Sequence, residues 1–314
     1  MKPLIFAAAK LSPLYAQALS SRYDVIGPMP VADLMAHPQR SSIQVIAGQG
    51  ESRVRADLMD ALPALKLVSI MGVGYDGVDV GHAIQRGAMV SHTPQVLNDD
   101  VSDLAIGLML SVTRRLALAD RYVRQGKWSQ GPMPLAQKLS GLRLGMVGMG
   151  RIGQAIAQRA LAFQMRVAYT ARRAKPELPY RYLASAKALA SEVDVLCVIT
   201  PGGDSTLHMI NAEVLQALGP KGYLVNVARG SVVDEAALVA ALQSGQIAGA
   251  GLDVFEDEPR PLPALLEMDN VVLTPHIGSA TNQTRQAMAQ LATDNIDLHF
   301  AGSALKTPVP ECQG

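Results

Sequence analysis

The chain has 314 residues, a formal net charge of +1, 49% hydrophobic and 4% aromatic residues, and two cysteines. That length suits roughly two domains of about 150 residues each. The near-neutral charge excludes a global attraction to nucleic acid or an anionic membrane, and the scarcity of aromatics excludes a base-stacking platform. Cys197 lies in the apolar run Val195–Ile199 and Cys312 in the tail, so no disulfide framework is expected, and a reducing, cytoplasmic setting fits. The opening MKPLIFAAAK has only a short apolar run interrupted by Lys10, and it reads as a first core strand rather than a signal peptide. No run of about 18 apolar residues exists, so no membrane span is expected. No metal site is predicted.

Strands are predicted at Leu4–Ala8, Tyr23–Ile26, Ile43–Ala47, Lys66–Ile70 and Ala88–His92, with helical or loop segments between them. This alternation implies a small open parallel sheet. Its fourth strand runs into Met71-Gly72-Val73-Gly74, at the carboxyl end where open α/β sheets collect ligands; the alternative is a plain turn to the next helix. Asn98-Asp99-Asp100 is expected to cap a helix with a buried stripe of Val101, Leu104, Ala105, Leu108, Met109 and Val112. Arg124–Gly141 reads as an irregular arm, and its Trp128 as a packing or subunit-contact residue.

Strands recur at Arg143–Val147, Arg166–Thr170, Asp194–Ile199, Gly222–Val227, Gly249–Leu252 and Val271–Leu273, six in a second doubly wound domain. The first of them meets Gly148-Met149-Gly150-Arg151-Ile152-Gly153, a G-x-G-x-x-G turn, and a helix follows with Ile152, Ile156, Ala160 and Phe163 on one face. In that context Gly148 makes the tight turn, Gly150 admits a pyrophosphate and Gly153 lets helix and strand close. The last helix, from about Thr281 to His299, is expected to return to the first domain.

An NAD site places an acid about 20 residues beyond the glycines, on the ribose 2′-hydroxyl. Here no Asp or Glu lies between Gly148 and Glu177, and the second strand ends in Ala171-Arg172-Arg173-Ala174-Lys175. Guanidinium groups suit a 2′-phosphate, so NADP is predicted; the alternative is a solvated basic turn. Three later strand ends carry Arg229, the acidic turn Asp253–Glu258, and His276. A cation, a carboxylate and an imidazole converging on a nicotinamide suit carbonyl reduction. Taken singly, His276 could be a satisfied loop histidine and Glu258 a solvated charge.

The GMGRIG loop, VARGSVVDE at Val227–Glu235, GLDVFEDEP at Gly251–Pro259, TPHIGS at Thr274–Ser279 and MGVGYDGVD at Met71–Asp79 resemble the D-isomer-specific 2-hydroxyacid dehydrogenases over nearly the whole chain. The end of the second coenzyme strand and the segment Asp99–Ala105 resemble the NADPH-dependent glyoxylate/hydroxypyruvate reductase branch. The resemblance implies an α/β fold of two doubly wound parallel-sheet domains. A flavodoxin-like substrate domain would take residues 1–97 and 285–314, and a Rossmann coenzyme domain residues 98–284.

It also implies roles. Arg229 would bind the substrate carboxylate and carbonyl, His276 would donate the proton with Glu258 paired to it, and the backbone at Val73 and Gly74 would receive the carboxylate. Asp253 would hold the nicotinamide carboxamide and Val101 would back the ring, with Ala228 and Gly278 also on the cofactor. Arg151 and Ile152 would contact pyrophosphate, and Thr206 would lie on the cofactor side. Coenzyme domains would pair into a homodimer. Two departures stand out: Pro201 is followed by Gly202-Gly203 rather than Leu-Thr, and Ala171 and Arg173 flank Arg172 where a hydroxyl residue is common. The expected activity is NADPH-dependent reduction of glyoxylate and hydroxypyruvate. The alternatives are reduction of larger 2-oxo acids such as 2-ketogluconate or phenylpyruvate, and a nucleotide-sensing corepressor.

Overall fold

The structure, a computed structural model, describes residues 2–313. The chain divides into two compact units, one running up to Leu97 and resuming at Thr281, the other spanning Asn98–Ala280.

The first unit holds strands β1 (Leu4–Ala7), β2 (Asp24–Ile26), β3 (Val45–Gln49), β4 (Leu67–Met71) and β5 (Met89–Ser91). All pair in parallel in the order β2-β1-β3-β4-β5, the flavodoxin-like winding. A parallel strand is covered on both faces, which is why β4 is buried at every position. Its one polar residue, Ser69, donates to the carbonyl of Ala292 in the helix Asn282–Phe300 and so fastens that helix to the sheet. The helix starts where Thr281 accepts from the Thr284 N–H, and it buries Met288, Ala292 and Ile296 at four-residue spacing. Strand β3 begins two residues later than predicted. Ile43 is buried, but it follows the 3-10 turn Arg40–Ser42 and packs from a loop. Beyond β4, the Val73 carbonyl accepts from His92 Nδ1 at 3.0 Å and the Gly72 carbonyl from the Thr93 N–H at 2.8 Å.

The second unit holds β6 (Arg143–Val147), β7 (Arg166–Thr170), β8 (Arg181–Tyr182), β9 (Val195–Val198), β10 (Tyr223–Asn226), β11 (Gly249–Leu252) and β12 (Val271–Leu273). Their order, β12-β11-β10-β9-β6-β7-β8, is the Rossmann winding with its switch point between β6 and β9. The sheet has seven strands, not the six predicted, because β8 is only two residues long and too short to show a period. The helix Asn98–Thr113 starts at Asn98 itself, with Asp99 and Asp100 in its first turn, and buries Val101, Ala105, Leu108, Met109 and Val112. Arg159 reaches back to Asp99 and Asp103, at 2.8 and 2.6 Å. Trp128 packs in no core and is 70% exposed. Among the described residues no helix is long and apolar enough to cross a membrane.

Candidate active site

The site is built at the carboxyl ends of the second unit's strands. After β6, Gly148 turns with φ +104°, and a side chain there would meet the Ile199 carbonyl oxygen at 2.5 Å. Ile199 follows β9, so this turn lies at the switch point. A Cβ on Gly153 would meet the Gly148 carbonyl oxygen at 2.5 Å, and that approach lets the helix Arg151–Ala162 start against the strand. Gly150 faces open space: nothing lies within 4 Å of a Cβ built on it. It is also the N-cap and offers no side-chain cap, so the first N–H groups of the helix, those of Arg151 and Ile152, carry the positive dipole end to that open side. Room, N–H donors and a positive field together fit a pyrophosphate.

Strand β7 ends at Thr170, and Arg172 and Arg173 follow on an exposed turn. Among the described residues, neither forms a hydrogen bond or ion pair. On this side the loop offers cations and no carboxylate.

The turn after β10 is clamped by Asn226, buried to 1% exposure. Its amide nitrogen donates to the Arg229 carbonyl at 3.0 Å and its oxygen accepts from the Ala228 N–H at 3.0 Å. Arg229 is half-buried, and its guanidinium donates to the Ala228 carbonyl. The acidic turn after β11 returns on itself, with Phe255 N–H donating to Glu258 Oε1 at 3.0 Å. The other carboxylate oxygen of Glu258 is 2.7 Å from His276 Nδ1. Burial pushes the Glu258 carboxyl up, but the His276 hydrogen bond and charge, the Phe255 N–H and the Arg229 charge together hold it below its ordinary value. Arg229, Glu258 and His276 are therefore brought together.

His276 occupies the left-handed region, φ +52°, and Asp253 holds the loop there. The Asp253 carbonyl accepts from the His276 N–H at 2.9 Å. Its Oδ1 accepts from Thr274 Oγ1 at 2.6 Å and Ile277 N–H at 2.8 Å, and Oδ2 from Gly278 N–H at 2.8 Å. Burial raises the Asp253 carboxyl above its ordinary value against these three donors. A Cβ on Gly278 would lie 3.1 Å from Asp253 Oδ2 and 3.4 Å from Val101 Cγ2, so Val101, Asp253 and Gly278 form one cluster. Thr206 sits apart on the Gly202-Gly203 loop, with its hydroxyl donating to the carbonyls of Pro201 and Gly203. Val73 and Gly74 belong to the first unit, on the turn after β4, both half-buried.

Several contributors are given no role in the sequence reading. Glu235, buried to 4% exposure, accepts the Glu256 N–H at 2.8 Å. His208 Nε2 pairs with Glu256 Oε1 at 2.7 Å. A Cβ on Gly230 would fall 1.9 Å from the carbonyl carbon of Phe255 and 2.3 Å from Glu256 N, so these backbones are in direct contact. The Phe255–Glu256 peptide thus joins the Arg229 turn to the Glu258 turn. An acid one residue after the N-cap Asp234 is the only local signal for Glu235, and helix starts carry such acids routinely.

A pyrophosphate-ready turn at a Rossmann switch point, with an imidazole–carboxylate pair on the neighbouring strand ends, makes this a dinucleotide-dependent oxidoreductase. Comparison with known proteins narrows the class. The profile described as "D-isomer specific 2-hydroxyacid dehydrogenase, NAD binding domain" matches residues 106–278. The chain is 49% identical over 271 residues to hydroxyphenylpyruvate reductase of Plectranthus scutellarioides, covering 86% of this chain and 87% of that one. It is 45% identical over 280 residues to glyoxylate/hydroxypyruvate reductase A of Arabidopsis thaliana, covering 89% and 90%. Among solved structures it resembles the NADPH-dependent glyoxylate/hydroxypyruvate reductase of Sinorhizobium meliloti, in complex with NADP and malonate, with TM-score 0.94, 44% identity and coverage of 99% and 98%. The protein belongs to the D-isomer-specific 2-hydroxyacid dehydrogenase family.

Proposed function

We propose that the protein is an NADPH-dependent reductase of small 2-oxo acids, glyoxylate and hydroxypyruvate first among them. The carrying observation is the 2.7 Å His276–Glu258 pair with the Arg229 charge acting on the same carboxylate. The second unit is the coenzyme domain and the first the substrate domain. Gly148, Gly150, Gly153 and the N–H groups of Arg151 and Ile152 hold the pyrophosphate. Arg172 and Arg173 hold a 2′-phosphate, while Val101, Ala228, Asp253, Gly278 and Thr206 line the cofactor side. The chemistry a bound nicotinamide supplies is hydride donation to the carbonyl carbon. His276 gives its proton to the carbonyl oxygen from Nε2, because Glu258 engages Nδ1 and leaves Nε2 to face the substrate. Arg229 binds carboxylate and carbonyl oxygens with its paired donors. The Val73–Gly74 turn is the first unit's candidate for binding an anionic group, supported by its place at the carboxyl end of β4 and by the family resemblance.

The deciding experiment is loss of NADPH absorbance with glyoxylate, hydroxypyruvate, hydroxyphenylpyruvate and 2-ketogluconate at matched concentrations. Higher kcat/KM for the two small acids supports the proposal. The relative from Plectranthus favours a second reading, a preference for aryl 2-oxo acids, which the same panel would reveal. No turnover of any of them points to a nucleotide-binding protein without this activity.

Two variants probe the site. Arg229→Lys keeps the charge but loses the planar fork, and kcat/KM for glyoxylate falls by about 10²-fold; parity with the parent removes the bidentate role. Glu258→Gln withdraws the charge beside the imidazole, so the alkaline limb of kcat/KM for reduction moves to lower pH. The Glu258 carboxyl itself, held low, stays ionised through the neutral range and loses its charge only as pH falls through its depressed value. An unmoved alkaline limb would sink the pairing.

A homodimer through the coenzyme domain is part of the proposal. Its support is the exposed apolar set Leu116, Val123, Trp128 and Leu135 on one segment of the second unit. Two free cysteines fit the cytoplasm.

A further inference from the structure

Exposed arginines on a loose turn would lose much of their preference for a phosphate to the entropy of ordering them. The turn from Thr170 to Lys175 is not loose. Tyr169, the penultimate residue of β7, is buried to 1% exposure directly beneath it. Its hydroxyl accepts from the Lys175 N–H at 2.6 Å and donates to the Lys175 carbonyl at 3.3 Å. Tyr182 of β8 stands opposite Tyr169 in the sheet register, with ring centroids 5.5 Å apart, and its hydroxyl donates to the Ala171 carbonyl at 3.4 Å. Both ends of the Ala171–Lys175 segment are therefore tied to tyrosine hydroxyls, and the two guanidiniums lie between the ties. We propose that Tyr169, assisted by Tyr182, is a positioning residue for dinucleotide choice: it fixes the backbone that presents Arg172 and Arg173 to a ribose 2′-phosphate. The inference rests on the NADPH reading above.

Two hydrogen bonds to one residue are lost in Tyr169→Phe, and the ring that fills the core stays. The kcat/KM for NADPH falls about fivefold while that for NADH holds, so the ratio between cofactors shrinks. In a background carrying Arg172→Ala and Arg173→Ala, Tyr169→Phe has no further effect on NADPH, because no guanidinium remains to be presented. A second readout needs no cofactor. Trypsin cuts after Arg172 and Arg173, and the untied turn is cut severalfold faster in Tyr169→Phe than in the parent, followed by mass spectrometry. Equal losses with both cofactors, or the same loss in the arginine-free background, would overturn the inference and leave Tyr169 a packing residue. So would an unchanged cleavage rate. A parent that prefers NADH overturns the cofactor reading itself, and the specificity role with it, whatever the protease result.

Discussion

His276→Asn lowers kcat for 2-oxo acid reduction by about 10²–10⁴, the usual contribution of general acid catalysis. Asparagine is the right replacement for a reason found in the backbone. His276 has φ +52°, a region that asparagine enters more readily than most residues. The loop held by Asp253 therefore keeps its shape, and the loss reports the missing proton donor rather than a displaced strand end. The amide can still hydrogen-bond near Glu258 but cannot be protonated at neutral pH. The effect falls on kcat, with KM for NADPH little changed, because the glycine turn is untouched. A folded Asn variant, with parental melting temperature and undiminished kcat, would remove His276 from the chemistry.

Replacing Arg172 and Arg173 together by alanine reduces kcat/KM for NADPH on the order of 30- to 150-fold and leaves NADH use nearly as it was. Hydrogen bonds to charged groups are worth about 1.5–3 kcal/mol net each, and solvent exposure of both side chains holds the pair below the simple sum, near the worth of one such bond. About 2–3 kcal/mol at 1.4 kcal/mol per decade gives the stated range. The preference also weakens as salt rises, since an exposed phosphate clamp is screened within about 8 Å at physiological ionic strength. The variant does not become a good NADH enzyme: no carboxylate lies between Gly148 and Glu177 to take the 2′-hydroxyl. Steady-state kinetics with both cofactors decide the matter, and equal losses for both would end the assignment.

Both effects concern residues legible in the sequence, for a physical reason. The glycine turn, the strand before it and the helix after it are local patterns, and so are continuous apolar runs such as Leu67–Met71. Features made by residues far apart were not legible. Nothing near Asp253 says that Thr274, Ile277 and Gly278, more than 20 residues on, will occupy both its oxygens. Ile43 looks like strand and is loop, because burial is a property of the fold and hydrogen-bond pairing a property of the register. Strand β8 escapes a periodic reading altogether, yet it delivers Tyr182 to the arginine turn.

The contact at Gly230 has a wider consequence. Two successive peptide units do this work: the Phe255 N–H of Val254–Phe255 donates to the carboxylate that holds His276, and Phe255–Glu256 touches the turn of Arg229 and is itself gripped by Glu235. The spacing of the reacting groups is thereby written into covalent geometry more than into the choice of rotamers. Such a mount is hard to retune by small steps, since moving one group drags the others. Natural or laboratory diversification toward bulkier acids must then proceed in the surrounding loops while this frame is inherited whole.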